Sequence, residues 1–295
     1  MPSRPTTDEP ARAPQSAPAT RTPPASASTD PDAVLADTIA RHGDDPDFVT
    51  ALARGLAVLL SLSDKKRRMS IAQVSHRTGI PRAAARRSLH TLAKLGFVAA
   101  DDTRHFYLRP RVLSFSHGYL SASPIAVLAQ PILDRLGESL HEACSLATLD
   151  GDAIVYLARS ASSRIMSPTL NVGRRLPAYC TSVGHVLLAH LPQDELDEYL
   201  ARARFHPFTE HTPTSAAKLL PLLAAVRESG FAFASQLMET RLCTLAVPVR
   251  DTAGHYVAGI NVILQGRLVT RAEMAERYYQ PLQRAAMELG SLLLP

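Results

Sequence analysis

The sequence of 295 residues lacks the features that mark several protein classes. No apolar run approaches the roughly 18 residues of a membrane-spanning helix, so no span is expected. The first residues, MPSRPTTDEPARAPQ, contain no apolar core of a secretory signal. The three cysteines are far apart and form no CxxC spacing, which disfavours a disulfide framework or a zinc finger and indicates a reducing compartment. We therefore expect a cytoplasmic protein.

Signatures of common catalytic sites are also missing. The sequence has no phosphate-binding glycine loop, no HExxH and no GxSxG. Its hydrophobic content of 46% is nevertheless sufficient for a buried core. We predict no catalytic residue, no metal site and no cofactor.

The net charge of +5 is distributed unevenly along the chain. Residues 51–120 contain 13 Lys or Arg against three acids, a net +10, which leaves the remainder at −5. A basic module joined to a mildly acidic one suggests that the basic part binds a polyanion.

Composition divides the chain into four parts. Residues 1–45 carry eight of the 22 prolines before Ala33 and almost no large aliphatic residue, so this tail is predicted to be disordered, or alternatively to serve as a contact arm. A DNA-binding domain is predicted over 46–110, a linker helix over 111–123 and a second domain over 124–295.

Residues 48–108 follow the order helix, short helix, turn, helix, hairpin. The first predicted helix covers Phe48–Leu62, and the second begins with a capping box formed by Ser70 and Gln73. The third helix has Pro81 at its first position and Gly96 after its end. Two strands follow at Phe97–Ala99 and Phe106–Leu108. Thr78-Gly79-Ile80 makes the tight turn. This order is typical of a winged helix-turn-helix, whose third helix enters the major groove of DNA.

The third helix separates small and apolar residues from cations. Ala85, Leu89 and Leu92 face inward, with Ser88 beside them. The residues predicted to meet DNA are Arg77, Arg82, Ala83, Arg86, Arg87, His90 and Lys94, together with Arg104 at the hairpin tip. Arginines 82, 86 and 87 are expected near bases and Lys94 at a phosphate. The alternative is a solvated amphipathic helix. Lys65–Arg68 is either a second phosphate contact or a solvated loop.

The second domain alternates helix and strand periods, which predicts an α+β fold with an antiparallel sheet. Helices are predicted over Arg111–Leu120, Ile125–Leu140 with an interruption near Pro131, Tyr179–Leu191, Asp194–Ala203, Ala216–Glu228 and Arg271–Leu292. Strands are predicted over Ser145–Leu149, Ala153–Ala158, Ile165–Val172, Phe231–Ser235, Leu242–Val249 and Tyr256–Leu264.

The helix start at Tyr179-Cys180-Thr181-Ser182 is the most promising position for a ligand. Free N–H groups and side-chain donors there suit a small anion, although Thr181 or Ser182 could merely cap the helix. Cys180 could instead be a nucleophile with His185 or His190 as its base. A further alternative places Cys144, Cys180, Cys243 and His141 around a metal. His141, His206 and His211 are otherwise expected to be surface or core residues.

Together with the long last helix, three segments resemble the IclR family of bacterial transcriptional regulators, over roughly residues 47–294. They are IAQVSHRTGIPRAAARRSLHTLAKLGFV, NVGRRLPAYCTSVGHVLLA and ESGFAFASQLMETRLCTLAVPVRDTAGHYVAGINV. The sequences of the latter two, with RLPAYCTS and GINV, are most similar to the branch of the family that regulates aromatic-acid breakdown through protocatechuate and β-ketoadipate. The resemblance implies a GAF-like effector domain and a homodimer or homotetramer that binds an inverted-repeat operator in double-stranded DNA.

The resemblance also implies a set of effector-binding residues. They are Leu170, Gly173, Ala178, Cys180, Thr181, Ser182, Gln236, Thr244, Asn261 and Ile263. Two positions depart from the family pattern: Arg241 stands where the family often has Gly, and Ala85 is smaller than the usual Val. A cation at Arg241 could hold a dicarboxylate or simply face solvent.

Three functional hypotheses remain at this point. The first is a regulator without catalytic activity that senses a small carboxylate such as β-ketoadipate, protocatechuate or 4-hydroxybenzoate, or an acid of another pathway such as glyoxylate metabolism. The second is an enzyme that uses Cys180. The third is a nonspecific DNA binder, whose affinity would depend on salt alone.

Overall fold

Three helices and a two-stranded hairpin form the N-terminal domain. The computed structural model of the protein describes residues 38–63, 68–160 and 171–294. The elements of this domain are α1 (Thr50–Ser61), α2 (Ile71–Thr78), α3 (Arg82–Lys94), β1 (Val98–Ala100) and β2 (Phe106–Leu108). Their apolar sides enclose one small core around Val58, Val74 and Leu89. The winged helix-turn-helix order predicted from the sequence is confirmed.

Local sequence signals set the helix boundaries in this domain. Ser70 accepts a hydrogen bond from the Gln73 amide while the Gln73 side chain accepts one from the Ser70 amide, which completes the capping box. Gly79 ends α2 with φ of 68°, a left-handed conformation that glycine adopts without a Cβ clash. Pro81 is the N-cap of α3, with ψ of 140°. The helix therefore begins at Arg82, one residue after the predicted start at Pro81.

The tail predicted to be disordered includes residues that contact the N-terminal domain. Residues 38–41 are helical, and Ile39 packs against the core of the N-terminal domain. The boundary at residue 45 was therefore wrong, because one apolar side chain is enough to dock this turn. Residues 1–37 of that prediction, and Lys65 to Arg67, lie outside the described residues.

Two helices connect the domains. A 3₁₀ turn at Pro110–Val112 leads into α4 (Leu113–Ala122), and α5 (Pro124–Leu140) follows after a bend of 80°. The prediction of an interruption near Pro131 was wrong, because α5 continues through this residue. Proline has no amide hydrogen, so one helical carbonyl loses its donor, but Pro131 lies on the exposed side of α5, where water can hydrogen-bond that carbonyl. In the described ranges no single helix is long and apolar enough to cross a membrane, and the bent pair meets that requirement only when both helices are combined.

A six-stranded antiparallel sheet forms the centre of the C-terminal domain. Its strands are β3 (Ala143–Asp150), β4 (Ala153–Arg159), β5 (Arg175–Pro177), β6 (Ala232–Ser235), β7 (Leu242–Arg250) and β8 (Tyr256–Gln265). Their order across the sheet is β5-β4-β3-β8-β7-β6. Residues 165–170 of the strand predicted over Ile165–Val172 lie outside the described residues. Residues 171–173 lie in a turn, which Gly173 permits with φ of 81°, and the strand begins at Arg175.

Helices cover both faces of this sheet, which confirms the α+β prediction. The helices that follow the linker are α6 (Ser182–Ala189), α7 (Gln193–Arg202), α8 (Ala216–Ser229), α9 (Arg271–Met274) and α10 (Gln280–Ser291). One core lies between the sheet and α5 with α10, and the other between the sheet and α6 with α8. The long closing helix predicted over 271–292 is interrupted by a π-helical turn at Ala275–Tyr279.

Candidate functional site

The first candidate site is the outward face of α3. Ala85 and Leu89 are completely buried against the core, which fixes the rotation of the helix about its axis. The opposite face exposes residues at helical spacing: Arg82, Ala83, Arg86, Arg87, His90 and Lys94. Arg77 of α2 is only partly exposed. Burial of one face therefore presents the other face, with its cations, to an external partner.

The cations of α3 are not neutralised by any acidic side chain in the part of the chain that the structure describes. Within the described ranges, none of Arg82, Arg86, Arg87 and Lys94 forms an ion pair. Side chains of this kind, on the second helix of a helix-turn-helix, are positioned to contact DNA phosphates and bases.

The hairpin, or wing, adds a further cation beside α3. β1 and β2 pair from Val98–Leu108 to Ala100–Phe106, and Arg104 lies exposed at the tip with φ of 60°. Arg68, one of the cations considered for a second phosphate contact, pairs with Asp101 at 2.7 Å. The wing is thus anchored to the segment that precedes α2.

The second candidate site is a small cavity of about 40 Å³ in the C-terminal domain, between the sheet and the start of α6. It collects side chains from β4, β5, α6, β6, β7, β8 and the loop after β6. The lining residues are Tyr156, Leu176, Cys180, Thr181, Ser182, Ala234, Leu237, Met238, Leu242, Thr244, Asn261 and Ile263. Most of these side chains are apolar, and the polar ones come from the helix start and from the middle of the strands.

Thr181 and Ser182 have different roles at the helix start. Thr181 caps α6, since its hydroxyl accepts a hydrogen bond from the Gly184 amide at 3.0 Å. Ser182 Oγ is buried and has no partner among the described residues. Gly184 allows the helix to approach closely, because a Cβ there would lie 2.0 Å from the carbonyl oxygen of Ala178. The capping alternative and the cavity-lining role therefore both hold for Thr181.

Asn261 supplies a second unsatisfied polar atom. Its Oδ1 is buried without a partner among the described residues, and Tyr156 lines the same cavity. Burial raises the pKa of Tyr156 to about 12, so the phenol stays protonated. Buried polar groups are nearly always hydrogen-bonded in proteins, so Asn261 Oδ1 and Ser182 Oγ indicate a polar ligand or ordered water.

The loop after β6 closes the cavity from above. Gln236 and Arg241 bound it, each with φ of 59°, and Leu237 and Met238 point into the cavity. Two hydroxyls hold the loop: Thr209 donates to the Gln236 carbonyl at 2.5 Å, and Thr212 to the Leu237 carbonyl at 2.6 Å. The Arg241 guanidinium donates to the Gly266 carbonyl and lies outside the cavity lining.

The residues predicted for effector binding are only partly brought together. Cys180, Thr181, Ser182, Thr244, Asn261 and Ile263 line the cavity. Ala178 is buried behind the helix start, Gln236 is in the loop, and Gly173 is on an exposed turn, so none of these lines it. Leu170 lies outside the described residues.

Several lining residues were missed. They are Tyr156, Leu176, Ala234, Leu237, Met238 and Leu242. The two-residue period of a strand would have found Leu242, which lies on the same face as Thr244. No local pattern identifies Leu237 and Met238, since their positions depend on the loop.

The structure does not support the alternative chemistry of Cys180. Burial raises the pKa of its thiol well above the ordinary range, and Sγ lies 3.5 Å from the Pro177 carbonyl. His185 Nε2 lies 2.7 Å from the Tyr179 carbonyl, and burial lowers the His185 pKa to about 4, so the ring is neutral and donates there. His190 bonds the Val186 carbonyl. In the described part of the chain no three His, Cys, Asp or Glu side chains gather.

Two family profiles match the chain. The profile of the IclR helix-turn-helix domain matches residues 51–102, and that of the bacterial transcriptional regulator IclR C-terminal domain matches residues 117–290. The Pca regulon regulatory protein of Pseudomonas putida is 46% identical over 269 residues, which cover 90% of this chain and 92% of that protein.

Two solved structures are also similar. A transcriptional regulator from Rhodococcus sp. RHA1 has a TM-score of 0.70 at 39% identity, covering 83% of this chain and 98% of that one. The inducer-binding domain of PobR from Acinetobacter, a double mutant in complex with 3-hydroxybenzoic acid, has a TM-score of 0.53 at 29% identity, covering 56% of this chain and 97% of that one.

Proposed function

Because the chain belongs to the IclR family of bacterial transcriptional regulators, we propose that it regulates genes of aromatic-acid catabolism in response to a small carboxylate. α3 and the wing contact the operator, and the cavity of the C-terminal domain holds the effector. Since its target is chromosomal DNA, the protein acts in the cytoplasm.

The DNA contacts follow from the exposure of α3. Arg82, Arg86 and Arg87 lie on the part of the helix that would face base edges, and Lys94 lies near its end. Bidentate contacts from arginine to guanine are a common source of sequence discrimination. Selective recovery of a few genomic fragments would separate this function from nonspecific binding.

The two unsatisfied atoms in the cavity are the observation that carries the effector proposal. Ser182 Oγ and the first amides of α6 suit a carboxylate. Asn261 Oδ1 suits a donor such as a phenolic hydroxyl, and the apolar walls suit a ring or an aliphatic chain. The effector is therefore a small acid of the 4-hydroxybenzoate, protocatechuate or β-ketoadipate type, and the relatives in aromatic catabolism support this class.

No catalytic role is proposed for the cavity. The Cys180 thiol is protonated and buried, and its neighbour His185 is committed to a backbone carbonyl. We expect a Cys180→Ser variant to keep regulation of its operator. Turnover of an aromatic acid by the wild type that disappears in this variant would contradict the assignment.

We further propose that the DNA-binding form is at least a homodimer. α1 exposes an apolar stripe of Val49, Leu52, Leu56 and Leu60, although its other side is buried. α4 has no buried residue and exposes Leu113, Phe115 and Tyr119. A second copy that covers both helices would bury this surface and present two copies of α3 to an inverted repeat.

Sedimentation equilibrium tests the dimer. Leu56→Lys should shift the protein toward monomer, because a lysine charge would be buried at the interface. Leu220→Lys in α8 is the control, since Leu220 is also a half-exposed leucine but lies far from the stripe in sequence. Equal association of both variants with the wild type would exclude α1 as the interface.

The main experiment selects genomic DNA fragments on the full-length protein at near-physiological salt. Recovered fragments are then titrated with protein, with and without 4-hydroxybenzoate, protocatechuate or β-ketoadipate. A few fragments with an inverted repeat, and an affinity that one of these acids changes, are expected. Uniform recovery of genomic fragments under all conditions would contradict a specific regulator and support the hypothesis of a nonspecific DNA binder.

Asn261→Ala tests the cavity. We expect the Kd of the acid to rise about tenfold, because one or two hydrogen bonds are lost, while operator affinity without the acid stays unchanged. Ser145→Ala is the matched control. Ser145 pairs directly with Asn261 across the sheet, and its hydroxyl also has no partner among the described residues, but it does not line the cavity. Equal acid affinity in Asn261→Ala and the wild type would place the effector elsewhere.

A further inference from the structure

Asp101 organises the turn of the wing. Its Oδ1 accepts hydrogen bonds from the Thr103 amide at 3.0 Å, the Thr103 hydroxyl at 2.7 Å and the His105 amide at 2.9 Å. The backbone of the same residue adds two bonds, from the Asp101 amide to the His105 carbonyl and from the Arg104 amide to the Asp101 carbonyl, both at 2.9 Å. Asp101 thus takes part in most of the hydrogen bonds of the turn that carries Arg104.

The second carboxylate oxygen connects the wing to the segment before α2. Asp101 Oδ2 accepts a hydrogen bond from Arg68 at 2.7 Å, and the Arg68 guanidinium also lies 4.7 Å from the centre of the Tyr107 ring. Beside this contact, Met69 and Phe106 exchange two backbone hydrogen bonds of 3.0 and 2.8 Å. The carboxylate therefore fixes both the shape of the wing and its position on the domain.

Arg104 needs this support. Its φ of 60° is a conformation that a residue with a Cβ adopts at a cost of about 1 kcal/mol or more, unless surrounding bonds determine it. Its side chain is exposed and is held by no ion pair within the described residues. A free turn would let Arg104 sample many positions, whereas the bonds to Asp101 leave it at one place beside α3.

We propose that Asp101 is the positioning residue of the wing: it touches no DNA, but it fixes Arg104 and Arg68 where they meet the DNA backbone. This rests on the wing contact in the proposed function. The hydrogen bonds from Thr103 and His105, with Arg68, hold the Asp101 pKa well below its ordinary range, so the carboxylate remains ionised at working pH.

The neighbouring Asp102 is a natural control for Asp101. Asp102 is exposed on the same turn and carries the same charge. If only charge mattered, removal of either carboxylate near phosphate would strengthen DNA binding. A positioning role predicts opposite signs: Asp101→Ala weakens binding, and Asp102→Ala leaves it equal or slightly stronger.

The experiment measures operator affinity of the full-length protein against salt concentration, for Arg104→Ala, Asp101→Ala, Asp101→Asn, Asp102→Ala and the double variant Asp101→Ala/Arg104→Ala. Arg104→Ala and Asp101→Ala are each expected to weaken binding about fivefold and to reduce the salt slope by about one. The double variant should bind at most about twofold more weakly than Asp101→Ala, because Asp101→Ala has already removed the DNA contact of Arg104.

Asp101→Asn separates geometry from charge and from folding. Its amide oxygen can still accept from Thr103 and His105, so it should recover most of the affinity that Asp101→Ala loses. Additive losses in the double variant, or wild-type affinity in Asp101→Ala, would overturn the positioning role. Unchanged operator affinity in Arg104→Ala would show that the wing makes no DNA contact through Arg104, and would exclude the positioning role of Asp101. The proposed contact of α3 with DNA would still be supported if Arg86→Ala weakened operator binding.

Discussion

The two candidate sites are built in opposite ways. The DNA-facing surface comes from one helix and one hairpin within residues 70–108, and its exposed side chains project from a backbone that a separate core stabilises. The cavity is concave and draws its lining from elements spread over residues 156–263. A change on the surface should remove one contact, whereas a change at the cavity should disturb packing and binding together.

Gly184→Ala is expected to have the largest effect and would sharpen this contrast. The new Cβ would lie 2.0 Å from the Ala178 carbonyl oxygen, so α6 would have to move off the cavity. We expect a loss of about 3 kcal/mol or more in the free energy of unfolding, together with loss of effector binding, by urea denaturation and calorimetric titration.

Gly118→Ala provides the control for helix propensity. Gly118 is also helical, in α4, but a Cβ there would meet nothing within 4 Å. This variant should be stabilised by up to about 1 kcal/mol. Equal stability of the two variants would contradict the close approach of α6 to Ala178.

The pH dependence of stability should come largely from the cavity side. Burial lowers the pKa of His185 to about 4 in the folded protein, whereas the unfolded chain protonates it near 6.5. Its neutral form therefore contributes stability that is complete above pH 6.5 and is lost as the pH falls towards 4, about 3 kcal/mol in all.

Urea unfolding at pH 7.5 and pH 5 measures this contribution. His185→Gln should reduce the difference in unfolding free energy between the two pH values, while His117→Gln on the exposed face of α4 should leave it unchanged. An undiminished difference in His185→Gln would place the pH-sensitive group elsewhere.

Arg86→Ala and Arg87→Ala test the surface side of the comparison. Each should weaken operator binding by about 1 to 3 kcal/mol without changing the urea midpoint, because both side chains are exposed and unpaired among the described residues. Arg284→Ala, which removes the same charge from an exposed site on α10, is the control. Operator affinity that is equal in all three variants would refute the assignment of α3.

Arg241 offers the smallest test and concerns the loop above the cavity. The residue adopts φ of 59°, so Arg241→Gly should be about 1 kcal/mol more stable than Arg241→Ala, although both lose the bond to the Gly266 carbonyl. The unfolding free energies of the pair measure backbone strain separately from the side chain. Equal values would mean that the loop carries no strain at this residue.

The N-terminal domain could be predicted from sequence because its signals are local. Ser70 with Gln73, Gly79 and the spacing of Ala85 and Leu89 each act within a few residues, and the structure has the predicted elements within two residues. The exposed face of α3 follows directly from its buried face. The remaining difference, Pro81 as a cap, concerns a single backbone dihedral angle.

The cavity could be predicted only in part because it depends on long-range packing. Thr181 was predicted from the local helix start, whereas Asn261 and Thr244 were found only through the family resemblance. Met238 was missed because a loop with two left-handed residues brings it over the sheet, and Tyr156 because its inward direction depends on the register of β4 with β3. No spacing in the sequence encodes either position.

The central pairing of β3 with β8 has a consequence for how the protein is made. Ala143 lies opposite Ile263, more than a hundred residues further along the chain, whereas the contacts of the N-terminal domain are short-range. Proteins with long-range strand pairing fold slowly, and domains nearer the N-terminus fold first during synthesis. On the ribosome, the DNA-binding head is therefore complete while the sensor sheet still lacks β8, one of its two central strands, so the two candidate sites of one molecule are finished at different times.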